Sequence, residues 1–177
     1  MISILIPIYH QEVSKLVRGL LQQAKQLSEA VEIRLCDDGS PEDDMRQSNR
    51  LLAKQEGVVY RELTQNQGRA AIRNLLAEEA TYPHLLFIDG DSGLVHPDFL
   101  ATYLKKIGQA PVLCGGRCYP TQPPDDPALY LHWLYGSRRE ARSASERERK
   151  PWSGFMSCNF VMEKDVWLDQ PFDDRLQ

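Results

Sequence analysis

The sequence lacks any apolar run approaching the roughly 20 residues that a membrane span requires. It also lacks a surplus of basic residues: its formal net charge is −4, so bulk electrostatics do not attract it to nucleic acid or anionic lipid. Its amino terminus lacks the basic start of a signal peptide, and we expect a strand there. With 177 residues, 42% of them hydrophobic, the chain suffices for one globular domain with a real core.

Cysteine is scarce, and the four cysteines form no CxxC pair. Cys114 and Cys118 lie four residues apart with His132 downstream, but zinc sites usually have tighter paired spacings. We therefore expect reduced thiols, mostly buried in strands, with Cys36 and Cys158 included. Reduced thiols suit the cytosol, so the expected location is cytoplasmic.

Strand-like and helix-like segments alternate through the first 109 residues. Continuous β-branched runs predict buried strands, and apolar residues at helical spacing predict helices between them. Pro41 is expected at the first position of the second helix. Alternation of this kind predicts a mostly parallel sheet with helices on both faces, an α/β fold. The predicted strands are 2–8, 31–40 (which ends in acids and a turn), 57–63 and 84–89, and the predicted helices are 13–27, 41–55, 66–80 and 96–108.

Polar residues follow the carboxyl ends of these strands, where parallel sheets bind ligands. Asp37 and Asp38 follow the second strand, and Asp89 and Asp91 follow the fourth. Because separate loops supply these carboxylates to one edge of the sheet, the pattern indicates a binding site. Other residues expected at this edge are Pro7, Ile8, Tyr9, Asn66, Gly68 and Arg69.

The residue types at this edge suit a metal ion and a phosphate group. Asp89 and Asp91 are hard oxygen donors for Mg²⁺ or Mn²⁺, which could neutralise a diphosphate leaving group. Gly68 allows close approach of the backbone, and the helix after it offers free N–H groups. Arg69 and Arg73 share a helix face, so at least one is expected to contact phosphate, although Arg69 could equally be a solvated surface residue.

Asp38 lies in the stretch CDDGS, which a turn alone would partly explain. Two consecutive aspartates are more than a turn requires. The carboxylate of Asp38 could accept a hydrogen bond from an N–H of a nucleotide base.

The second half of the chain is less regular. Residues 111–120 predict a fifth strand, and a proline-rich break precedes a helix followed by a loop. Residues 138–150 contain six basic and three acidic residues, which predicts either a solvated segment or a flap over a donor diphosphate. The aromatic residues before it could line an acceptor sugar or pack in the core, and His132 is expected to be structural; these aromatic residues are Tyr130, Trp133 and Tyr135.

The motifs SILIPIY, LCDDGSPED, NQGRAAIRN, LLFIDGDSGLVHPDFL and SCNFVMEKDVW, in this order, resemble family 2 glycosyltransferases. The resemblance extends from Ile2 to about Asp174. It implies a Rossmann-like GT-A fold that binds a nucleotide-diphosphate sugar, most commonly a UDP-sugar. It also implies sugar transfer to an acceptor hydroxyl with inversion at the anomeric carbon, assisted by Mn²⁺ or Mg²⁺.

The resemblance also assigns roles to residues of the donor side. Pro7 and Tyr9 would lie beside the nucleotide, and Asp38 would contact the base. Arg73 would lie near the sugar or the phosphates, and Asp89 would approach the ribose and the sugar.

Further along, Asp91 would bind the metal together with Asp89, and Gly90 between them offers no side-chain contact. Asn159 would border donor and acceptor. The family often has asparagine where this chain has His10.

We expect one catalytic domain over 1–177, with a nucleotide-sugar-binding half at 1–110 and an acceptor-side half at 111–177. The family's catalytic base is an acidic residue expected beyond Gln177, so the domain would be truncated at its carboxyl terminus. Apolar surface exposed by such a truncation could favour self-association.

Three other functions remain open. One is a non-catalytic nucleotide-binding module, and another is nucleotidyl transfer, which would want a glycine-rich loop after the first strand. The third is a phosphohydrolase of the haloacid dehalogenase type, with Asp89 as nucleophile.

The expected partners are a nucleotide-sugar donor and a glycan acceptor, with no nucleic acid and no membrane span. The donor base, the sugar and the acceptor are not named by the sequence, and a role at the inner face of a membrane follows from the family alone.

Overall fold

The computed structural model describes residues 1–175. Their strands lie in one six-stranded sheet with the order β3-β2-β1-β4-β6-β5. The strands are β1 (Ile2–Ile8), β2 (Val31–Asp37), β3 (Val58–Glu62), β4 (His84–Ile88), β5 (Val112–Cys114) and β6 (Asn159–Glu163). Strands β1 to β4 are mutually parallel, whereas β6 runs antiparallel to both β4 and β5. The predicted α/β fold with a mostly parallel sheet is confirmed.

Helices connect the strands. The α-helices are α1 (Ser14–Ala24), α2 (Asp44–Arg50), α3 (Arg69–Glu79), α4 (Phe99–Lys106), α5 (Pro127–Tyr135), α6 (Ala144–Arg149) and α7 (Lys164–Asp169). Short irregular helices follow α2, α5 and α6, at Leu51–Lys54, Gly136–Glu140 and Pro151–Ser153.

The sheet buries apolar side chains on both of its faces, as the continuous β-branched run of β1 predicts. One face packs against α1 and α4 and contains the isoleucines of β1 at even positions. The other face contains Leu5, Phe87 and Phe160, which pack with Trp167 of α7. Because both faces are covered, polar ligands can reach the central strands only at their ends.

Several predicted boundaries are wrong. Helix α2 begins at Asp44 rather than Pro41, because the side chain of Asp43 caps it by accepting a hydrogen bond from the Arg46 N–H. Strand β5 covers only Val112–Cys114, although the Gly115 N–H still donates to the Asn159 carbonyl of β6 at 3.0 Å. The predicted loop after α5 contains the helical turn 136–140 and helix α6.

Of the four cysteines, Cys36 and Cys158 are buried, whereas Cys114 is half-buried and Cys118 is exposed. All four are free thiols, and burial raises the pKa of Cys36 to about 12. Among the described residues, no helix is long and apolar enough to cross a bilayer.

Candidate functional site

The segment before α3 is fixed to the end of β2 by Asp38. Its buried carboxylate accepts hydrogen bonds from the backbone N–H groups of Gln67, at 2.7 Å, and Gly68, at 3.0 Å. Its own N–H donates to the carbonyl of Ile8 in β1, at 2.8 Å. Asp38 therefore links β1, β2 and the amino terminus of α3, three parts of the expected nucleotide site.

Gly39 brings the same two segments into close contact. Its φ is +71°, and a Cβ atom there would lie 2.5 Å from the carbonyl carbon of Gln65 and 2.7 Å from the backbone nitrogen of Asn66. Only glycine combines this backbone conformation with this approach. The sequence indicated a turn at Asp-Gly but gave no sign that the turn supports a distant segment.

Gly68 precedes α3 and has a φ of +94°, with nothing within 4 Å of a Cβ placed there. The first helical hydrogen bond runs from the Ile72 N–H to the Gly68 carbonyl. The N–H groups of the first turn of α3 consequently have no intrahelical acceptor. Arg69 begins the helix and is exposed. This amino terminus can receive an anion.

Arg73 connects α3 to the end of β4. Its buried guanidinium donates one hydrogen bond to Oδ1 of Asp89 and another, at 2.9 Å, to the carbonyl of Arg69. The Asp89 side chain keeps 30% of its surface exposed, and its N–H donates to the Cys158 carbonyl at 3.1 Å. Arg73 therefore orients Asp89 and does not lie free on the surface.

Gly90 and Asp91 follow in the same loop. A Cβ atom at Gly90 would lie 3.1 Å from Cγ1 of Val13 and 3.3 Å from the carbonyl oxygen of Pro7. The loop after β4 thus packs directly against the end of β1. Asp91 is exposed and forms no hydrogen bond or ion pair with the part of the chain that the structure describes.

The oxygen ligands in this loop provide part of a coordination shell for Mg²⁺ or Mn²⁺. The exposed carboxylate of Asp91 is a free hard ligand, and Asp89 retains the oxygen that does not face Arg73. Residues 1–175 contain no cluster of three or more metal-binding side chains. An ion here would need oxygens from phosphate and water, as Mg²⁺ usually has in nucleotide sites.

The chain leaves β1 through Pro7, Tyr9 and His10. Pro7 lies opposite Cys36 in the β1–β2 ladder, and Tyr9 is 58% exposed at the same edge. His10 has a φ of +48°, a conformation in which asparagine and histidine are enriched. Its N–H donates to Oγ of Ser40 at 2.8 Å, so Ser40 supports this turn, a role that sequence reasoning missed.

Asn159 begins β6 opposite Ile88, one residue before Asp89. Its side-chain oxygen accepts from the Tyr103 hydroxyl at 2.7 Å, and its amide donates to the Gly116 carbonyl at 2.9 Å. These contacts fix the segment after β5. A contact of Asn159 with donor or acceptor stays a prediction.

A polar cluster in the segment after β5 was not found from the sequence. Arg117 donates to Glu140 at 2.8 Å. Burial raises the pKa of the Cys158 thiol, and Arg117 opposes this effect. The Tyr119 hydroxyl also donates to Glu140, and this bond holds the pKa of the carboxyl below its usual range. These residues lie too far apart in the sequence for any local pattern to predict that they are in contact.

The basic segment 138–150 is partly attached to the sheet. Arg147 donates to the carbonyls of Cys114, at 2.7 Å, and Gly115, at 3.3 Å. Its guanidinium also covers Gly116, where a Cβ atom would lie 2.7 Å from Cζ. Arg147 thus anchors α6 next to β5, although the other residues of 138–150 except Glu140 are exposed. Whether the segment closes over a donor stays a prediction.

The structure thus links the predicted residues of the donor half through direct contacts. Asp38 contacts Gly68, Arg73 contacts Asp89, and Gly90 packs against Pro7. Tyr9, Asp91 and Asn159 form no such link, whereas Arg69 contacts Arg73 through its backbone carbonyl. Tyr9, Arg69 and Asp91 are exposed at the same edge.

Comparison with known proteins identifies relatives of this arrangement. Residues 3–167 match the model of the family described as glycosyl transferase family 2. An uncharacterized glycosyltransferase of Haemophilus influenzae is 34% identical over 101 residues, which are 57% of this chain and 38% of that protein.

Two solved structures share the fold. The crystal structure of S. aureus TarS 1-349 has a TM-score of 0.65 and 18% identity, over 99% of this chain and 51% of TarS 1-349. The mannosyltransferase PcManGT of Pyrobaculum calidifontis, in complex with GDP-Man and Mn²⁺, has a TM-score of 0.67 and 17% identity, over 98% of this chain and 47% of PcManGT. TarS 1-349 has also been solved with UDP-GlcNAc.

The chain spans about half the length of these two solved relatives and 38% of the Haemophilus protein. At identities below 25% the solved structures establish the fold, whereas the family match covers nearly the whole chain. The chain therefore belongs to glycosyl transferase family 2, and its fold is the GT-A fold.

Proposed function

We propose that this chain binds a nucleotide-diphosphate sugar at the carboxyl edge of its sheet, for transfer of the sugar to an acceptor hydroxyl with inversion. The observation that carries the proposal is the meeting of three features at that edge. These features are the Asp38 carboxylate, the free amino terminus of α3, and the loop in which Arg73 orients Asp89 beside Asp91. Together they offer groups that can bind a nucleotide base, a diphosphate and a metal ion.

The nucleotide would lie near Pro7, Tyr9 and Asp38. Each oxygen of Asp38 already accepts one backbone hydrogen bond, but a carboxylate oxygen can accept a second. A base N–H can therefore bind Asp38 without releasing the segment before α3. The exposed ring of Tyr9 can pack on the base or ribose.

The diphosphate would lie at the amino terminus of α3, where Gly68 leaves open space and backbone N–H groups are free. Arg69 is exposed there and can approach an anionic oxygen. Arg73 is buried against Asp89, so its contribution to the donor is mainly through the orientation of that carboxylate.

Asp91, with Asp89, would hold Mn²⁺ or Mg²⁺. When bound, the ion would neutralise charge on the departing nucleoside diphosphate. Its occurrence in PcManGT, together with a nucleotide sugar, supports the choice of a divalent ion.

Transfer requires a base that removes the proton of the acceptor hydroxyl. Glu140 belongs to the half that we expect to bind the acceptor, but hydrogen bonding from Tyr119 lowers its pKa, as does the charge of Arg117. A carboxylate stabilised in its charged form is a weak proton acceptor. We therefore do not assign the base to Glu140.

The family match favours sugar transfer over the phosphohydrolase and nucleotidyl-transfer alternatives. A nucleophilic Asp89 is further disfavoured because its ion pair with Arg73 reduces the reactivity of its oxygen. A UDP-sugar is our first choice of donor and a glycan our choice of acceptor, with a cytoplasmic location suggested by the free thiols.

The test is the midpoint of thermal unfolding with UDP, GDP, dTDP or CMP, each with and without Mn²⁺. A ligand at about 100 times its dissociation constant adds roughly 2.7 kcal/mol of stability. In a domain of this size that should raise the midpoint by several degrees. We expect one nucleoside diphosphate to give the largest rise, enhanced by Mn²⁺. Equal midpoints in all eight mixtures would refute a donor site in this chain.

A further inference from the structure

We propose that Asn49 of helix α2 is a positioning residue for the loop 89–92, which contains both expected metal ligands. It acts through the segment 11–13, on which that loop rests. This role rests on the proposed function, since it concerns how the same site is held in shape. Asn49 is 1% exposed and therefore acts through other residues, without contact with nucleotide or metal.

The side chain of Asn49 is bonded through both of its polar atoms to the backbone of the segment between β1 and α1. Its Oδ1 accepts a hydrogen bond from the Val13 N–H at 3.0 Å, and its Nδ2 donates to the Gln11 carbonyl at 2.8 Å. Val13 is 1% exposed, and buried backbone N–H groups almost always have a partner. Loss of the Asn49 amide would therefore force the segment 11–13 to move until water or another group replaces it.

The loop 89–92 rests on the segment 11–13 at Gly90. A Cβ atom at Gly90 would lie 3.1 Å from Cγ1 of Val13 and 3.7 Å from Cγ of Gln11. The lack of a side chain at Gly90 thus lets the loop pack directly on this segment. A displacement of Val13 would therefore remove the support of Gly90.

This contact bears on Asp91 in particular. The loop is a tight turn, closed by a hydrogen bond from the Ser92 N–H to the Asp89 carbonyl at 3.0 Å. Arg73 holds Asp89 at the first position of the turn. Gly90 and Asp91 occupy the two central positions, so the packing of Gly90 determines where the exposed Asp91 lies relative to Asp89.

Helix α2 is held independently of Asn49, so a change at Asn49 stays local. Arg46, three residues earlier on the same face, donates to the Ser40 carbonyl at 2.7 Å. The carboxylate of Asp43, which caps the helix, lies 3.1 Å from Nδ1 of His10. Shortening Asn49 therefore leaves α2 in place and releases only the segment that Asn49 binds.

Hydrogen exchange of the ligand-free chain, followed by mass spectrometry, tests the positioning itself. We expect the backbone amides of the segment 11–13 and of the loop 89–92 to exchange severalfold faster in Asn49→Ala than in the unmodified chain. Glu32→Gln is the control, because it weakens buried hydrogen bonding at the opposite end of β1 and β2. Unchanged exchange at 89–92, or equal acceleration in the control, would overturn the proposal.

Calorimetric titration of the nucleoside diphosphate that raises the unfolding midpoint most extends the test to the site. In Asn49→Ala, the gain in nucleotide affinity on addition of Mn²⁺ should fall about fivefold, a size typical of residues that affect a site without contacting its ligand. Affinity without Mn²⁺ should stay close to that of the unmodified chain. Gln47→Ala, at an exposed position of α2, should match the unmodified chain under both conditions. No loss in Asn49→Ala would contradict the proposal, and so would equal losses with and without Mn²⁺, which indicate a general structural effect.

Val13→Ala is a second variant, and it keeps both hydrogen bonds of Asn49 because these are made to backbone groups. Since it shortens the side chain that contacts Gly90, it should lower the gain from Mn²⁺ in the otherwise unmodified chain. In Gly90→Ala the same change should raise the gain, because it removes the Cγ1 atom closest to the added Cβ. An equal effect of Val13→Ala in both backgrounds would contradict support of the loop by this segment.

The positioning role and the proposed function can fail separately. If no nucleotide binds the unmodified chain with or without Mn²⁺, the proposed function is wrong, whereas hydrogen exchange still shows whether Asn49 positions the loop 89–92. If nucleotide binds with Mn²⁺ and Asn49→Ala binds like Gln47→Ala, the donor site stands and the positioning role is wrong.

Discussion

At the scale of residues, Gly39 and Gly68 show that two glycines with positive φ can be needed for different reasons. Both have positive φ, but only Gly39 lies against a neighbouring backbone, that of Gln65 and Asn66. A side chain at Gly68 would meet open space. The site therefore depends on Gly39 for contact between two loops and on Gly68 for the shape of one.

We predict that Gly39→Ala destabilises the chain more than Gly68→Ala does. Both should lose about 1 to 3 kcal/mol because alanine is strained at these positive φ values, and Gly39→Ala should lose more because its Cβ also displaces residues 65–66. Urea denaturation of both variants measures the difference. Equal free energies of unfolding would mean that the loop moves aside without cost.

Glu32 has a structural role far from the site. Its buried carboxylate accepts hydrogen bonds from Oγ of Ser3, at 2.6 Å, and from Oγ1 of Thr81, at 3.0 Å. Burial alone would raise its pKa, but these bonds and the Thr81 N–H, with the charge of Arg34, outweigh burial and lower the pKa below 4.5. The carboxylate therefore stabilises the fold above its unfolded pKa, and this stabilisation is lost as the pH falls toward the folded pKa.

We predict that Glu32→Gln loses about 2 kcal/mol of unfolding free energy at pH 7, as expected for buried hydrogen bonds to a charged group. The deficit relative to the unmodified chain should shrink below about pH 4, where Glu32 itself becomes protonated. Urea denaturation at both pH values checks this, with the exposed Glu56→Gln as control. A deficit independent of pH would exclude a role for the charge.

At the scale of elements, hydrophobic periodicity predicted the strands and helices of the first half, but polar contacts set several of their ends. Helix α2 begins after Asp43 because that side chain caps it, although Pro41 is a favoured helical start. The start of helix α6 has a local signal that was missed, the capping box of Ser143 and Glu146. Its position is set by the contacts of Arg147 with the distant carbonyls of Cys114 and Gly115. Such contacts depend on the assembled sheet and leave no local pattern in the sequence.

We predict that Arg147→Gln releases α6 from the end of β5. Trypsin should then cleave residues 138–150 severalfold faster, because the segment loses two charge-assisted hydrogen bonds and opens more often. Arg149→Gln removes an equal charge from an exposed position and is the control. Equal cleavage rates in the two variants would show that Arg147 does not anchor the helix.

At the scale of the whole molecule, a mostly parallel sheet covered on both faces was predictable from its continuous apolar strands, whereas the strand order and the antiparallel β6 were not predicted. Because the carboxyl ends of parallel strands lie at one edge of the sheet, the sequence also predicted that Asp38, Gly68 and Asp89 lie at that edge. The sequence could not foresee that Asp38 supports the segment before α3, or that Arg73 is buried on Asp89, because side-chain partners depend on the final distances between elements.

The central claim is that this edge binds a nucleotide sugar with a divalent ion held by Asp91. Calorimetric titration of the best nucleoside diphosphate, with and without Mn²⁺, tests it most directly in three proteins: the unmodified chain, Asp91→Asn and the exposed control Asp125→Asn. We expect Asp91→Asn to lose at least about tenfold in Mn²⁺-dependent affinity, roughly 1.4 kcal/mol, while Asp125→Asn binds like the unmodified chain. Unchanged affinity for nucleotide and Mn²⁺ in Asp91→Asn would contradict the claim.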